Sequence, residues 1–263
     1  MDKKALFYDI DGTLLSDVTG EVPISAMEAL RAAQDRGHLT FINTGRTICS
    51  LPTELKEMSF SGFACGCGTY ISYGDEVLLA RSIPHERGRE IIRVIQECNA
   101  SPILEGQEDC YFSSRMSRFE RVESTRRYFK NMGIGIETYI EHDNFDYDKL
   151  VFYVDEQTDQ KRLFEDMSRD MDIMDRKSGF YELVPKGYSK ASAIEFILHH
   201  FGLSIEDAYV FGDSSNDLSM FQYVPHAIAM EVHDPVLDPY TEFVTQTVEE
   251  DGIAFAMEHY HLL

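Results

Sequence analysis

Two short apolar segments near opposite ends of the chain both end in an acidic, glycine-containing loop, and this shared pattern constrains the fold most. Residues 5–10 run into Asp11-Gly12-Thr13, and residues 208–211 run into Gly212-Asp213. Short apolar runs that end abruptly are typical of buried strands in a parallel sheet. We therefore expect both loops at the carboxyl edge of one sheet, where open α/β folds bind their ligands.

The elements between these loops predict the rest of that sheet. Pro23 and a capping box of Ser25 and Glu28 predict a helix that stops near Gly37, followed by a strand at residues 39–42. Strand, helix and strand joined by short connections imply a parallel pair with a right-handed crossover. A helix at 190–201 and a closing helix at 252–260 complete an α/β fold with a doubly wound, mostly parallel, Rossmann-like sheet.

The middle of the chain has a different pattern. Long charged helices, such as 86–98 and 118–132, alternate there with strand-like segments such as 150–154 and 180–184. We predict an inserted α+β domain at residues 84–185. Residues 1–83 and 186–263 then form the domain that carries the parallel sheet.

Charge and composition narrow the possible functions. The 24 Lys and Arg residues against 46 Asp and Glu residues give a net charge of −22, which disfavours binding to nucleic acids and anionic membranes. No apolar run approaches the roughly 20 residues that a membrane span needs. The first residues lack the pattern of a secretory signal, so we expect a cytoplasmic protein with its five cysteines reduced. The sequence leaves the oligomeric state open.

Four carboxylates lie at or just beyond the ends of the two apolar segments and are the leading candidates for chemistry. Taken alone, Asp9-x-Asp11-Gly12 is equally typical of an acidic turn. If the two strands are neighbours, however, Asp9, Asp11, Asp213 and Asp217 converge in one pocket. Clustered carboxylates repel one another unless a cation lies among them. Oxygen ligands of this kind favour Mg²⁺ bound together with the phosphate oxygens of a substrate.

Two further sequence motifs could hold an anion. Thr44, Gly45 and Arg46 follow the second predicted strand and offer a hydroxyl, backbone N–H groups and a guanidinium at the same edge. Lys190 begins a predicted helix and could add a point charge. Each signal alone is weak, because Thr-Gly-Arg loops and lysines at helix starts are common.

Taken together, these sequence motifs resemble the four motifs of the haloacid dehalogenase superfamily in order and spacing. They are residues 9–13, 44–46, 190 and 212–217. The stretches 185–190 and 227–230 are also similar to those of its Cof-type, or class IIB, phosphatases. The resemblance implies that residues 84–185 are a cap domain that selects the substrate and that residues 1–83 and 186–263 are the catalytic core. It covers essentially the whole chain, strongly in the core and by position and size in the cap. The chain departs from the pattern of many members where Cys67-Gly68-Thr69 replaces Asn-Gly-Ala.

The resemblance implies a role for the residues of each motif. Asp9 would be the nucleophile that forms an aspartyl-phosphate, and Asp11 the general acid and then the base for the hydrolytic water. Mg²⁺ would be bound by Asp9, Asp213 and the backbone carbonyl of Asp11. Asp217 would complete the loop that carries Asp213. The residues expected to hold phosphate or substrate are Gly12, Thr44, Gly45, Arg46, Lys190 and Asn216. The residues expected around the metal are Asp9, Asp11, Asp213 and Asp217.

We therefore expect a Mg²⁺-dependent phosphatase of small phosphorylated metabolites, such as sugar phosphates or phosphorylated cofactors. The second acid, Asp11, is kept by the superfamily's phosphatases and phosphomutases but not by its dehalogenases. A phosphomutase shares every core residue and stays an alternative. A non-catalytic sensor of phosphorylated metabolites is the alternative from a different class.

Overall fold

The computed structural model describes residues 3–142 and 144–263. It contains two compact units. The first takes in the chain up to Gly45, Thr53–Leu79 and Tyr188–Leu263, and the second takes in Arg46–Pro52 and Ala80–Gly187. Among the described residues, no helix combines the length and the apolar character needed to cross a bilayer.

Strands and helices alternate along most of the chain. The strands are β1 (Ala5–Tyr8), β2 (Leu39–Asn43), β3 (Gly62–Cys65), β4 (Tyr70–Tyr73), β5 (Glu76–Ala80), β6 (Ser101–Glu105), β7 (Cys110–Tyr111), β8 (Lys149–Tyr153), β9 (Met171–Asp175), β10 (Phe180–Pro185), β11 (Ala208–Gly212), β12 (His226–Ala229) and β13 (Phe243–Val244). The α-helices are α1 (Ile24–Asp35), α2 (Thr53–Glu57), α3 (His85–Glu97), α4 (Glu120–Asn131), α5 (Gln160–Met167), α6 (Lys190–Phe201), α7 (Leu218–Tyr223) and α8 (Gly252–His259).

An eight-stranded sheet forms the first unit, with strand order β13-β12-β11-β1-β2-β3-β4-β5. The six strands from β13 to β3 are parallel, and β4 pairs antiparallel with β3. Strand β1 lies between β11 and β2, with Tyr8 opposite Phe211 and Ile42. The predicted α/β class with a mostly parallel sheet is confirmed, and both acidic loops follow adjacent strands.

Burial explains why these segments form the centre of the sheet. All four residues of β1 and all five of β2 are buried, so the strands lack the polar alternation of a half-exposed sheet. Helix α6 covers the sheet with Ile194, Ile197 and Leu198, and it ends at Gly202 in a left-handed conformation, as predicted.

The predicted capping box of α1 is wrong. The helix begins at Ile24, with Pro23 as its N-cap residue, and no side chain caps it. Ser25 therefore lies inside the first turn, where its hydroxyl donates a hydrogen bond to Asp251 Oδ1 at 2.5 Å. A tertiary contact has taken the hydroxyl that the sequence pattern assigned to a local cap.

The second unit is built on a five-stranded antiparallel sheet with strand order β7-β6-β8-β10-β9. Consecutive apolar residues of β8 pack on opposite faces of this sheet. Phe152 packs in a cluster with residues of α3 and α5, whereas Val151 packs in a cluster with residues of α4. The segment Arg46–Pro52 groups with this unit, where Cys49 Sγ lies 3.2 Å from the carbonyl oxygen of Gly106. The role of the unit as a substrate-selecting cap stays a prediction.

Candidate active site

Strand pairing brings the first two acidic residues together at the carboxyl edge of the large sheet. Asp9 directly follows β1 and is 2% exposed, and its backbone N–H donates to the carbonyl oxygen of Phe211 at 3.0 Å. Asp213 directly follows β11, the neighbouring strand. Two carboxylates 204 positions apart in the chain thus meet because their strands are parallel and adjacent.

The centre of the site is a group of three carboxylates around a buried lysine. Asp9, Asp213 and Asp217 each offer an oxygen, and these oxygens all lie within 4.8 Å of one another. Lys190 Nζ lies 2.6 Å from Asp9 Oδ1 and 2.6 Å from Asp217 Oδ1. Thr13 Oγ1 donates to Asp213 Oδ1 at 2.9 Å. The lysine is 1% exposed, so these ion pairs are shielded from water.

Asp217 holds the loop that carries Asp213. Its Oδ2 accepts hydrogen bonds from the backbone N–H groups of Asp213 and Ser214 at 3.0 and 3.1 Å, and its Oδ1 accepts from Lys190. Within residues 3–142 and 144–263, by contrast, no hydrogen bond reaches Oδ2 of Asp9 or Oδ2 of Asp213. These two oxygens are available to a ligand, whereas Asp217 orients the loop and the lysine.

Burial and charge shift the protonation equilibria of the site. Burial, and then the nearby Asp217, raise the pKa of Asp9 to about 8 despite the opposing effect of Lys190. Burial, and then Asp217, likewise raise the pKa of Asp213 to about 7. Burial alone would lower the pKa of Lys190, but the two carboxylates it contacts raise it. The site therefore has more negative charge than one ammonium group balances, and a cation would be stabilised there.

The rest of the first loop lies against this cluster. Gly12 has φ +77°, and a Cβ at this position would lie 2.6 Å from Asp213 Oδ2, so the backbone approaches the carboxylate more closely than any side chain allows. Asp11 is half-buried and forms an isolated bridge with Leu15. Its carboxylate is not one of the three that are grouped together.

The residues expected to bind phosphate are distributed between the two units. Thr44 is buried at the end of β2 in the first unit, and Gly45 is the last residue of that segment. Arg46 groups with the second unit, where its Nη1 lies 3.4 Å from the Tyr128 hydroxyl. Asn216 Oδ1 accepts a hydrogen bond from Ser214 Oγ at 2.6 Å, within its own loop.

One residue that contacts the site escaped the sequence analysis. Asn43 is fully buried at the end of β2, and its Nδ2 donates to the backbone carbonyl oxygen of Lys190 at 3.0 Å. The available signal was an asparagine that ends an apolar run directly before Thr44. By itself, such a run predicts only a buried strand.

Fold and site together define an α/β protein with a carboxylate–lysine centre at the carboxyl edge of a parallel sheet. The chain belongs to the haloacid dehalogenase-like hydrolases, because the family model with that description matches residues 6–257.

Proteins similar to this chain carry phosphatase names. The provisionally named phosphatase YkrA of Bacillus subtilis (strain 168) is 28% identical over 269 residues, which span 100% of both chains. The 5-amino-6-(5-phospho-D-ribitylamino)uracil phosphatase YwtE of the same organism is 27% identical, with 97% of each chain covered. Among solved structures, the subclass IIB sugar phosphatase BT4131 has a TM-score of 0.83 and 27% identity, covering 99% of this chain and 100% of the other. The predicted Cof-type phosphatase is thereby confirmed, and the sensor alternative is set aside.

Proposed function

We propose that this phosphatase hydrolyses small phosphorylated metabolites, a sugar phosphate or a phosphorylated cofactor, with Mg²⁺ and through an aspartyl-phosphate on Asp9. One observation carries the proposal. Asp9 is a buried carboxylate with one oxygen bonded to Lys190 and the other, Oδ2, without a hydrogen-bond partner among the described residues.

Asp9 is the nucleophile in this mechanism. Its Oδ2 attacks phosphorus, the bond from phosphorus to the leaving oxygen breaks, and the phosphoryl group is held covalently on Asp9. Water then attacks the same phosphorus and releases both inorganic phosphate and the carboxylate. Dividing one very slow hydrolysis into two easier steps is the benefit of covalent catalysis. Lys190, 2.6 Å from Asp9 Oδ1, fixes the carboxylate and offsets the repulsion between two anions.

Asp11 is the general acid and base. It follows Asp9 by two positions in the same loop, and it is half-buried, whereas Asp9 and Asp217 are buried. A partly exposed carboxyl group can exchange protons with solvent between the two steps. Asp11 donates a proton to the leaving oxygen in the first step and accepts one from the attacking water in the second.

The residues present fit Mg²⁺. Carboxylate oxygens are the ligands that this hard cation prefers, and three of them lie within 4.8 Å of one another. Burial, and then the neighbouring Asp217, raise the pKa values of Asp9 and Asp213, and a cation beside the carboxylates would favour their charged forms. Asp9 and Asp213 would hold the ion, with the backbone carbonyl of Asp11 as the resemblance implies. When bound, Mg²⁺ would supply charge neutralisation for the phosphoryl oxygens.

Thr44 and Lys190 hold the transferring phosphoryl group. Both are buried in the first unit, where Thr44 directly follows β2 and Lys190 is the first residue of α6. A hydroxyl and an ammonium group in a dry site stabilise developing negative charge more strongly than they would in water.

The substrate class is supported by what the similar proteins are named for. YwtE is named for a phosphorylated ribitylamino-uracil and BT4131 for sugar phosphates. We assign substrate selection in this chain to the second unit. Replacing residues 80–187 with the corresponding segment of another family member should transfer that member's ranking of substrates by kcat/KM. A ranking that stays with the first unit would contradict this assignment.

The chemistry is tested with an aryl phosphate in the presence of Mg²⁺. A chelator should abolish release of phosphate, and Asp9→Asn should abolish it even with the metal present. Asp35→Asn, which removes an exposed carboxylate at the end of α1, is the matched control and should keep full activity. Normal turnover by Asp9→Asn would refute the nucleophile. Interconversion of sugar phosphate isomers, rather than phosphate release, would indicate the phosphomutase instead.

A further inference from the structure

The carboxamide of Asn43 is a fully buried polar group at the last position of β2. Its Nδ2 lies 3.0 Å from the carbonyl oxygen of Lys190, while its Oδ1 is buried without a hydrogen-bond partner among the described residues. A buried acceptor without a partner destabilises a fold, so a purely structural position would favour an apolar side chain. The contact to Lys190 therefore points to a role beyond packing.

Asn43 lies between two groups that the proposed mechanism uses. It is the last residue of β2, so Thr44 follows it directly, and its side chain reaches the first residue of α6. Lys190 is that first residue, and its ammonium group contacts Asp9 and Asp217. One side chain thus joins the backbone that carries Thr44 to the backbone that carries Lys190.

Residues 66–68 form a loop with left-handed backbone conformation. This loop contacts both Thr44 and Ser189, the residue before Lys190. Gly66, Cys67 and Gly68 have φ values of 60°, 54° and 91°. The N–H of Cys67 donates to the carbonyl oxygen of Thr44 at 3.1 Å, and a Cβ at Gly68 would lie 2.6 Å from the carbonyl oxygen of Ser189. The loop thus lies between Thr44 and the N-cap residue of α6. The left-handed conformation at position 67 suits the asparagine of the resembling family, whereas nothing in the structure explains the cysteine found here.

We propose that Asn43 is a positioning residue, which together with the 66–68 loop fixes the distance between Thr44 and Lys190. This inference rests on the proposed function, in which those two residues hold the phosphoryl group. Asn43 touches no reacting atom and acts through Lys190. A shift of about 1 Å in a catalytic group can cost about 10²-fold in rate.

The first test is Asn43→Leu, which keeps the approximate size of the side chain and removes the donor. We expect kcat for an aryl phosphate to fall by roughly tenfold, with a smaller change in KM, because the ground state needs less accurate alignment than the transition state. Inhibition by orthovanadate, which mimics the transferring phosphoryl group, should weaken by a similar factor. The midpoint of urea unfolding should stay unchanged or rise, because the unpartnered acceptor is removed.

Thr40→Val is the matched control in the same strand. It removes a buried hydroxyl that accepts hydrogen bonds from Gln34 Nε2 and the Ser61 N–H, so it should lower the unfolding midpoint while kcat stays at the wild-type value. Full kcat in Asn43→Leu would overturn the inference. A lower kcat together with a lower unfolding midpoint would also overturn the inference, because it would assign Asn43 a structural role.

The loop provides a second test that does not depend on Asn43. Gly68→Ala should lower kcat, since its methyl group meets the Ser189 carbonyl oxygen. Gly202→Ala, at the other end of α6, has a similar positive φ and open space around its Cβ, and should keep full activity. Equal activity of Gly68→Ala and Gly202→Ala would overturn the inference.

The results separate this inference from the proposed function. Full activity in Asp9→Asn would refute the nucleophile whatever Asn43 does. An inactive Asp9→Asn beside a fully active Asn43→Leu would leave the nucleophile in place and overturn only the positioning role.

Discussion

Gly12→Ala places a methyl group directly against the carboxylate of Asp213, which we propose as a metal ligand. The added Cβ would lie 2.6 Å from Asp213 Oδ2 and 2.8 Å from its Cγ, whereas ordinary contacts begin at 3.4 Å. Either the loop or the carboxylate must therefore move by about 0.8 Å. Because displacement of a catalytic group by about 1 Å costs about 10²-fold, we expect kcat/KM to fall roughly 10- to 100-fold. The Mg²⁺ concentration for half-maximal activity should rise as well.

The variant also carries a backbone cost that must be separated from this effect. Gly12 has φ +77°, and an alanine in the left-handed region is destabilised by about 1–2 kcal/mol. Gly20, in the following turn, has φ +72° and no atom within 4 Å of an added Cβ. Gly20→Ala therefore reproduces the backbone strain without the contact to Asp213.

The assay is hydrolysis of an aryl phosphate over a series of Mg²⁺ concentrations, together with urea unfolding of both variants. We expect Gly12→Ala to lose at least as much unfolding free energy as Gly20→Ala, but a loss of activity in Gly12→Ala alone. Equal activity and equal Mg²⁺ dependence in Gly12→Ala and Gly20→Ala would refute our placement of the metal beside Asp213.

Two further predictions concern buried charges. Lys190→Met should reduce the single-turnover rate by roughly 10²- to 10³-fold, because removal of one preorganised electrostatic group typically has an effect of this size. A wild-type rate in this variant would show that Lys190 is not required. In the second unit, burial raises the pKa of Glu182, but the contacts with Lys149 and Arg176 outweigh it and lower the pKa from 4.5 to about 2. Because the folded-state pKa lies below the unfolded value, this stabilisation of about 3 kcal/mol is present above about pH 4.5 and is lost as the pH falls towards 2. Urea unfolding should therefore show a steeper loss of stability over this range in wild type than in Glu182→Gln, and parallel curves would contradict the assignment.

The central site could be predicted because its residues follow regular elements. Asp9 and Asp213 each follow an apolar strand, and Lys190 begins a helix whose bounds, 190–201, the sequence predicted to the residue. Adjacent parallel strands then bring the two acidic loops together. The sequence pattern therefore specified which ends of which elements meet.

Contacts between distant segments could not be predicted in the same way. The hydroxyl of Ser25 fits a local cap and is used instead by Asp251, 226 positions later. The side chain of Asn43 fits the end of a strand, and nothing in its neighbours indicates that it contacts Lys190. Arg46 follows Thr44 and Gly45 directly, yet the chain passes into the second unit at that residue. In each case tertiary packing decides among partners that the local sequence allows equally.

Covalent trapping on Asp9 tests the central claim most directly. The enzyme is mixed with excess aryl phosphate and Mg²⁺, quenched in acid during turnover and reduced with borohydride, which converts an aspartyl-phosphate to homoserine. Peptide mass spectrometry should then find homoserine at position 9 in wild type and none in Asp9→Asn. An unmodified Asp9 in an enzyme that is turning over, or the modification at another carboxylate, would contradict the mechanism.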